Sequence, residues 1–144
     1  MGDLKIYDLG EVSVVLCGIP VDSGFGDGEC VKIEWDEDDF TTKKGADGEV
    51  TRSKTYNGLA KVTLTLMQTA SANALFSTLS LLDRTAKNGA GVGPFLLRDR
   101  GGATLYAGTK CWIAARPSPT LAREANTREW VFAVADLEGA EMGN

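Results

Sequence analysis

Four features of this 144-residue sequence carry residue types that could do chemistry. The run DSGFGDGE (22–29) sets Gly24, Gly26 and Gly28 at every second position, and backbone amides of a glycine-rich loop can cradle phosphate. Such loops lead into a helix N-terminus and often carry a lysine. Here Asp22, Asp27 and Glu29 would repel the anion and a strand pattern follows, so the run reads as a flexible turn. Asp36, Glu37, Asp38 and Asp39 offer carboxylates to a divalent cation, but consecutive side chains do not converge easily on one ion, and the spacing is not that of an EF-hand. Gly108, Thr109 and Lys110 faintly match a phosphate loop, with the wrong spacing and the wrong order of Lys and Thr, inside a strand pattern. Cys17, Cys30 and Cys111 are odd in number, far apart and never C-x-x-C, which favours structural free thiols over a disulfide scaffold or zinc site.

Histidine is absent. That removes the usual general base, the Ser-His and Cys-His nucleophile pairs and the commonest zinc ligand. Carboxylate pairs are inevitable in a chain with 20 acids, and no motif sets two of them in a cleft. The reading is a protein that is not an enzyme and takes no cofactor and no metal.

The elements that would position these residues are mostly strands. In GLAKVTLTLMQTASANALFSTLSLLDRTAKNG (58–89), Val62, Leu64 and Leu66 alternate with Lys61, Thr63 and Thr65, the mark of a half-buried strand. The period then changes. Leu75, Leu79, Leu82 and Ala86 recur at three and four residues and predict one amphipathic helix with that stripe toward the core, Ser71 as N-cap and Gly89 as terminator. EVSVVLCGIPV (11–21) is apolar nearly throughout, and Pro20 ends it or pushes it to an edge. CVKIEW (30–35) turns Val31, Ile33 and Trp35 inward and has EVTRSKTY (49–56) as its expected partner, leaving DEDDFTTKKGADG (36–48) as a long connection. Phe40, flanked by Thr41, Thr42, Lys43 and Lys44, makes that connection read as an interaction finger. PFLLRDR and ATLYAGTKCWIAARP flank a hairpin signal at Gly101-Gly102. WVFAVADL (130–137) is apolar on both faces and predicts a central or interfacial strand, while MGDLKIYD reads as an arm and EGAEMGN as a frayed tail. The sum is a single domain over 1–144, mainly β, with one flanking helix.

The net charge of −5 is unevenly spread. Residues 1–50 hold thirteen acids against four bases, and residues 51–130 hold eleven bases against four acids, so the chain can present one acidic and one basic surface, or folding can interleave the charges so that they only solvate both faces. No stretch approaches the ~20 apolar residues of a membrane span and no basic-then-apolar leader is present, so a soluble protein made in the cytoplasm is expected, with no membrane contact.

With the elements in order, the sequence resembles the tail tube proteins of contractile-tailed, myovirus-type bacteriophages, a superfamily shared with type VI secretion tubes. The resemblance covers most of the chain: an N-terminal arm, a strand, a glycine-rich turn, a hairpin with a long charged tip from CVKIEWDEDDF to GEVTRSKTYN, then KVTLTLMQTASANALFSTL and two more strand runs. Its most specific part is GEVTRSKTYNGLAKVTLTLMQTASAN. The resemblance implies a β-barrel or sandwich of two antiparallel sheets with one flanking helix and a long projecting hairpin. It implies a structural virion protein whose hexameric rings stack head to tail as the inner tail tube, a conduit for DNA ejection without specific DNA binding, assembled in the host cytoplasm. Tail sheath, baseplate and tape-measure proteins are the implied partners. By position, Asp36, Asp38, Asp39, Phe40, Lys43 and Lys44 match the inter-subunit tip, and Lys61, Thr63 and Thr65 face a lumen or a neighbour. The alternative reading is a monomeric β-sandwich that binds a carbohydrate or peptide on Trp35, Tyr56, Trp112 and Trp130.

Overall fold

Alternation decides where the strands lie. Val62, Leu64 and Leu66 are fully buried, Lys61 is exposed, and Thr63 and Thr65 are half-buried, as a period of two requires. The structure is a computed structural model that describes residues 12–21, 23–26, 30–54, 58–87, 89–99 and 105–140. The elements run β1 (Val12–Leu16), β2 (Ile19–Val21), β3 (Val31–Trp35), β4 (Phe40–Lys44), β5 (Val50–Lys54), β6 (Ala60–Met67), α1 (Ala72–Thr85), β7 (Gly93–Asp99), β8 (Leu105–Ala115), β9 (Thr127–Val134) and β10 (Glu138–Ala140).

One antiparallel sheet has the order β2-β1-β7-β8-β9-β6-β3, with β10 also on β8. Among the described residues it does not close, and β2 and β3 are its two ends. The second sheet is the ribbon β4–β5. The architecture is therefore mainly β and sandwich-like, with one helix, and not a closed barrel. A single core gathers Val14 and Leu16 from β1, Phe95 from β7, Cys111 from β8, Phe132 from β9 and the β6 aliphatics. As its two-faced apolar pattern predicts, β9 is central, between β8 and β6. It ends at Val134, and a turn sends Leu137 back into the core.

The nearly continuous apolar run at 11–21 divides into β1 and β2. Cys17 (φ 54°) and Gly18 (φ 83°) make a two-residue turn with positive φ at both positions, which matches the twist of antiparallel strands. Pro20 then falls on the edge strand β2, where its missing N–H costs no sheet bond.

Two expectations are corrected by pairing. The partner of β3 is β6, with Val31 opposite Leu64 and Trp35 opposite Ala60, and β5 pairs instead with β4 inside the supposed loop. The described residues between β3 and β6 are thus the outer part of one long β3–β6 hairpin. Val31 and Ile33 pack on the core, but Trp35, beyond the last layer of core side chains, is 45% exposed.

The helix is also rotated from its predicted setting. Ala72, Phe76 and Ser80 are its buried residues, whereas Leu75 and Leu82 are 53% and 48% exposed and Leu79 lies at the boundary. Phe76 wins the core position because its ring meets Phe132 edge-on at 5.1 Å and Trp130 at 5.7 Å. Ser71 occupies the N-cap position without a capping side-chain bond. Asn73 anchors the first turn: its amide donates to the Met67 and Gln68 carbonyls at 2.9 and 3.3 Å and its oxygen accepts the Trp130 indole N–H at 2.9 Å. The helix ends at Thr85 with an extended Ala86, so the left-handed Gly89 shapes the following turn.

Candidate functional site: the projecting ribbon and the polar sheet face

Of the residues singled out as an interface, Phe40, Lys43 and Lys44 lie on β4 of the β4–β5 ribbon, and Asp36, Asp38 and Asp39 lie in the stretch that leads into it. Every residue of both strands is exposed. The register Phe40–Lys54, Thr42–Arg52 and Lys44–Val50 puts these six side chains on one face, because directly opposed residues point the same way. Phe40 is 42% and Val50 60% exposed, and the Arg52 guanidinium sits 4.3 Å from the centre of the Phe40 ring. This face is apolar and basic at once. The other face carries Thr41, Lys43, Thr51 and Ser53. Asp36, Glu37, Asp38 and Asp39 lie exposed at the base, and Asp47 and Glu49 form the tip, where Gly45 N–H donates to the Glu49 carbonyl at 2.7 Å and Glu49 N–H to the Asp47 carboxylate at 3.1 Å. Charge is banded along the ribbon: acidic base, basic body, acidic tip. A two-stranded ribbon is marginal in water by itself, so one that buries none of its residues is suited to packing on another chain.

Lys61, Thr63 and Thr65 share the outer face of the sheet with neighbours fixed by register. Glu34 is opposite Lys61, Lys32 and Val131 flank Thr63, and Glu129 is opposite Thr65. Lys32 and Glu34 form an ion pair at 3.1 Å with both side chains about half exposed. Two lysines and two glutamates therefore balance on this patch, and threonine, valine and alanine fill the space between them.

The supposed phosphate loops are spent on internal bonds. In the described part of 22–29, Gly26 N–H donates to the Thr65 carbonyl at 3.0 Å and Met67 N–H to the Gly24 carbonyl at 2.7 Å; Asp22 and residues 27–29 lie outside the described residues. The amides of Thr109 and Lys110 donate to the Asp136 carboxylate at 3.0 and 3.1 Å, joined by the Thr109 hydroxyl. The hydroxyl and these amides hold the Asp136 carboxyl below its ordinary value. Among the described residues no three thiol or carboxylate side chains converge on a metal position.

The aromatic platform of the binding-module reading does not assemble. Trp130 is buried against Phe76, Trp112 lies on β8, and Trp35 lies on β3, separated from β8 by β9 and β6. Tyr56 lies outside the described residues, as do the N-terminal arm and residues 100–104 of the Gly101-Gly102 turn. An open groove between α1 and the ends of β8 and β9 is lined by Ser77, Asp83, Arg84, Arg116 and Arg128, but Arg128 donates to Asn126, Thr127 and Thr120 of its own chain.

A sequence model of the bacteriophage PhiTE tail tube protein matches residues 7–141. The chain belongs to this tail tube family. It is 32% identical over 122 residues to structural protein ORF10 of Pseudomonas phage KPP10, covering 85% of this chain and 70% of that protein. Three solved assemblies contain chains with the same fold. The tube-terminating cap of the anti-feeding prophage gives a TM-score of 0.59 at 9% identity, covering 98% of this chain and 95% of that one. The sheath-tube complex of the extracellular contractile injection system PVC gives 0.56 at 11% identity over 94% and 91%. The virion of a gene transfer agent particle gives 0.62 at 11% over 94% and 99%. The tail tube family is one of structural proteins, and the described surfaces of this member are those of a building block: open sheet edges, an unsupported ribbon and a charge-balanced polar face.

Proposed function

We propose that copies of this chain close into hexameric rings that stack head to tail as the inner tube of a contractile phage tail, a conduit for DNA during ejection. The observation that carries this reading is the pair of edges, β2 and β3, that no other described strand covers at the two ends of one antiparallel sheet in a member of the tail tube family. Unpaired edges are templates for further strand pairing, and a ring satisfies each edge with the next subunit.

In this arrangement the ribbon reaches the adjacent ring. Phe40 is the apolar anchor, Lys43 and Lys44 its basic flank, and Asp36, Asp38 and Asp39 the acidic base that a neighbour's basic surface meets. Lys61, Thr63 and Thr65 line the lumen. Phosphate attraction to Lys and Arg dominates nucleic-acid binding, so a wall must offset its bases to let DNA slide. Glu34 and Glu129, in register beside Lys61 and Thr65, supply that offset. DNA then passes without specific binding. Tail sheath, baseplate and tape-measure proteins complete the particle, which is assembled in the host cytoplasm.

A cryo-EM map of the assembled tube tests the reading. The expected map puts the β3-β6-β9 polar face on the bore and the ribbon between rings. A map with Arg52, Lys54 and Lys61 around the bore without acidic neighbours would contradict it.

A further inference from the structure

Cys17 and Cys111 are 94 residues apart in sequence and belong to strands that are not neighbours, yet their Sγ atoms lie 3.7 Å apart. The sheet order puts β7 between β1 and β8, and two strand spacings amount to about 10 Å. Two features close that gap. Cys17 is the only non-glycine among the described residues with positive φ, so the β1–β2 turn folds back over β7, where Gly18 N–H donates to the Pro94 carbonyl at 3.1 Å. Beneath the turn, the β7 residue in register with Cys111 is Gly93. A Cβ on Gly93 would lie 2.6 Å from the Cys17 carbonyl carbon and oxygen, closer than atoms approach. The missing side chain lets the Cys17 backbone lie on β7 and its thiol reach across, donating to the Cys111 carbonyl at 3.3 Å.

We propose that Cys17 and Cys111 are an oxidation site that converts to an intramolecular disulfide, a staple across β7 that ties the edge hairpin β1–β2 to the centre of the sheet. Cys17 is partly exposed and Cys111 fully buried, so a small oxidant such as hydrogen peroxide meets Cys17 first. The Cys17 sulfur takes one peroxide oxygen to become a sulfenic acid, and water leaves. The Cys111 sulfur then attacks Cys17 Sγ, the S–O bond breaks, and the departing hydroxide takes the Cys111 proton to form a second water. Each sulfur gives one electron and peroxide takes both. The closing step shortens the Sγ–Sγ separation from 3.7 Å to a bond of about 2 Å. The hydrogen bond to Cys111, together with burial, pushes the Cys17 thiol above its ordinary range and the same bond lowers that of Cys111, so the first step at Cys17 is slow and the Cys111 sulfur is the better nucleophile for the closing step. Cys30 takes no part: its thiol is buried and donates to the Gly26 carbonyl at 3.2 Å. The chemistry does not depend on the tube reading; only its consequence does, since β2 is the edge that a ring would pair.

Treating the folded full-length chain with hydrogen peroxide at mildly alkaline pH, then denaturing and alkylating it, tests the proposal. Of the three thiols, only Cys30 should be alkylated, with the Cys17 and Cys111 peptides linked within one chain and released by dithiothreitol. The oxidised chain should melt about 5 °C or more above the reduced one, since a 94-residue loop is closed in the unfolded state. Cys30→Ala should bridge as the parent does, and Gly93→Ala, which lifts the turn off β7, should bridge far less. Three alkylated thiols, a link between two chains, or sulfinic acid at Cys17 with Cys111 still free would overturn the site. An unchanged melting temperature after bridging would overturn the staple.

Discussion

Replacing Phe76 by alanine tests which stripe of the helix holds the fold. Phe76 is fully buried and touches two aromatic rings, so truncation removes the ring's burial and leaves a cavity between α1 and β9. Buried Phe→Ala changes cost about 3–5 kcal/mol, a large part of the roughly 5–15 kcal/mol that holds a domain together. At about 2–4 °C per kcal/mol for a chain of this size, the melting temperature should fall by about 6–20 °C. Leu75→Ala and Leu82→Ala remove side chains that are already about half wet. Full burial of a leucine is worth about 1.5–3 kcal/mol, so each should cost about 1 kcal/mol or less. Thermal melts of the unassembled chain by circular dichroism separate the two cases. If Leu82→Ala lowered the melting temperature as far as Phe76→Ala does, the leucine stripe would face the core and the helix setting described here would be wrong.

Phe40→Ala should leave that melt unchanged but raise the concentration needed for tube growth about 30-fold, the effect of losing a hot-spot residue worth about 2 kcal/mol; pelleting assays with an unchanged threshold would remove Phe40 from the interface. Raising salt to about 1 M shortens the Debye length to about 3 Å and should slow tube growth followed by light scattering, whereas an unchanged rate would exclude charge matching between rings. Asp136 has a folded pKa below its ordinary value of 3.8, so its contribution is complete above pH 3.8 and is lost as the pH falls through the folded value. Asp136→Asn should therefore melt lower than the parent at neutral pH and lose less stability in acid; parallel melting curves down the acid limb would show that the carboxylate does not matter.

Alternating strands are legible because a period of two is local: Val62, Leu64 and Leu66 bury as their spacing predicts, and β9, apolar on both faces, lies inside the sheet. Pairing was less so. FTTKK reads as part of a loop, and VTRSK as a strand without its true partner, because both segments bury nothing and strands with no apolar face leave little pattern to read. The partner of β3 was misassigned because the nearer segment in sequence is not the one that closes the long hairpin. On the helix, the leucines outnumbered the residues that pack, and only the tertiary position of Trp130 and Phe132 selects Phe76. Asn73 and Asp136 act through bonds to distant backbone and indole groups, which no spacing rule announces. The Cys17–Cys111 contact was invisible for the same reason, and it needs Gly93 on a third strand. A large apolar side chain on a charged projection singles out Phe40 and its neighbours as a candidate interface, and the structure puts Phe40, Lys43 and Lys44 on the ribbon with Asp36, Asp38 and Asp39 at its base.

Negative-stain microscopy of the purified chain at high concentration, paired with mass photometry, shows whether the chain builds a tube. Hollow tubes with six-fold end views, built from stacked rings, are expected. A stable monomer with no rings or tubes at any concentration reached would contradict that expectation.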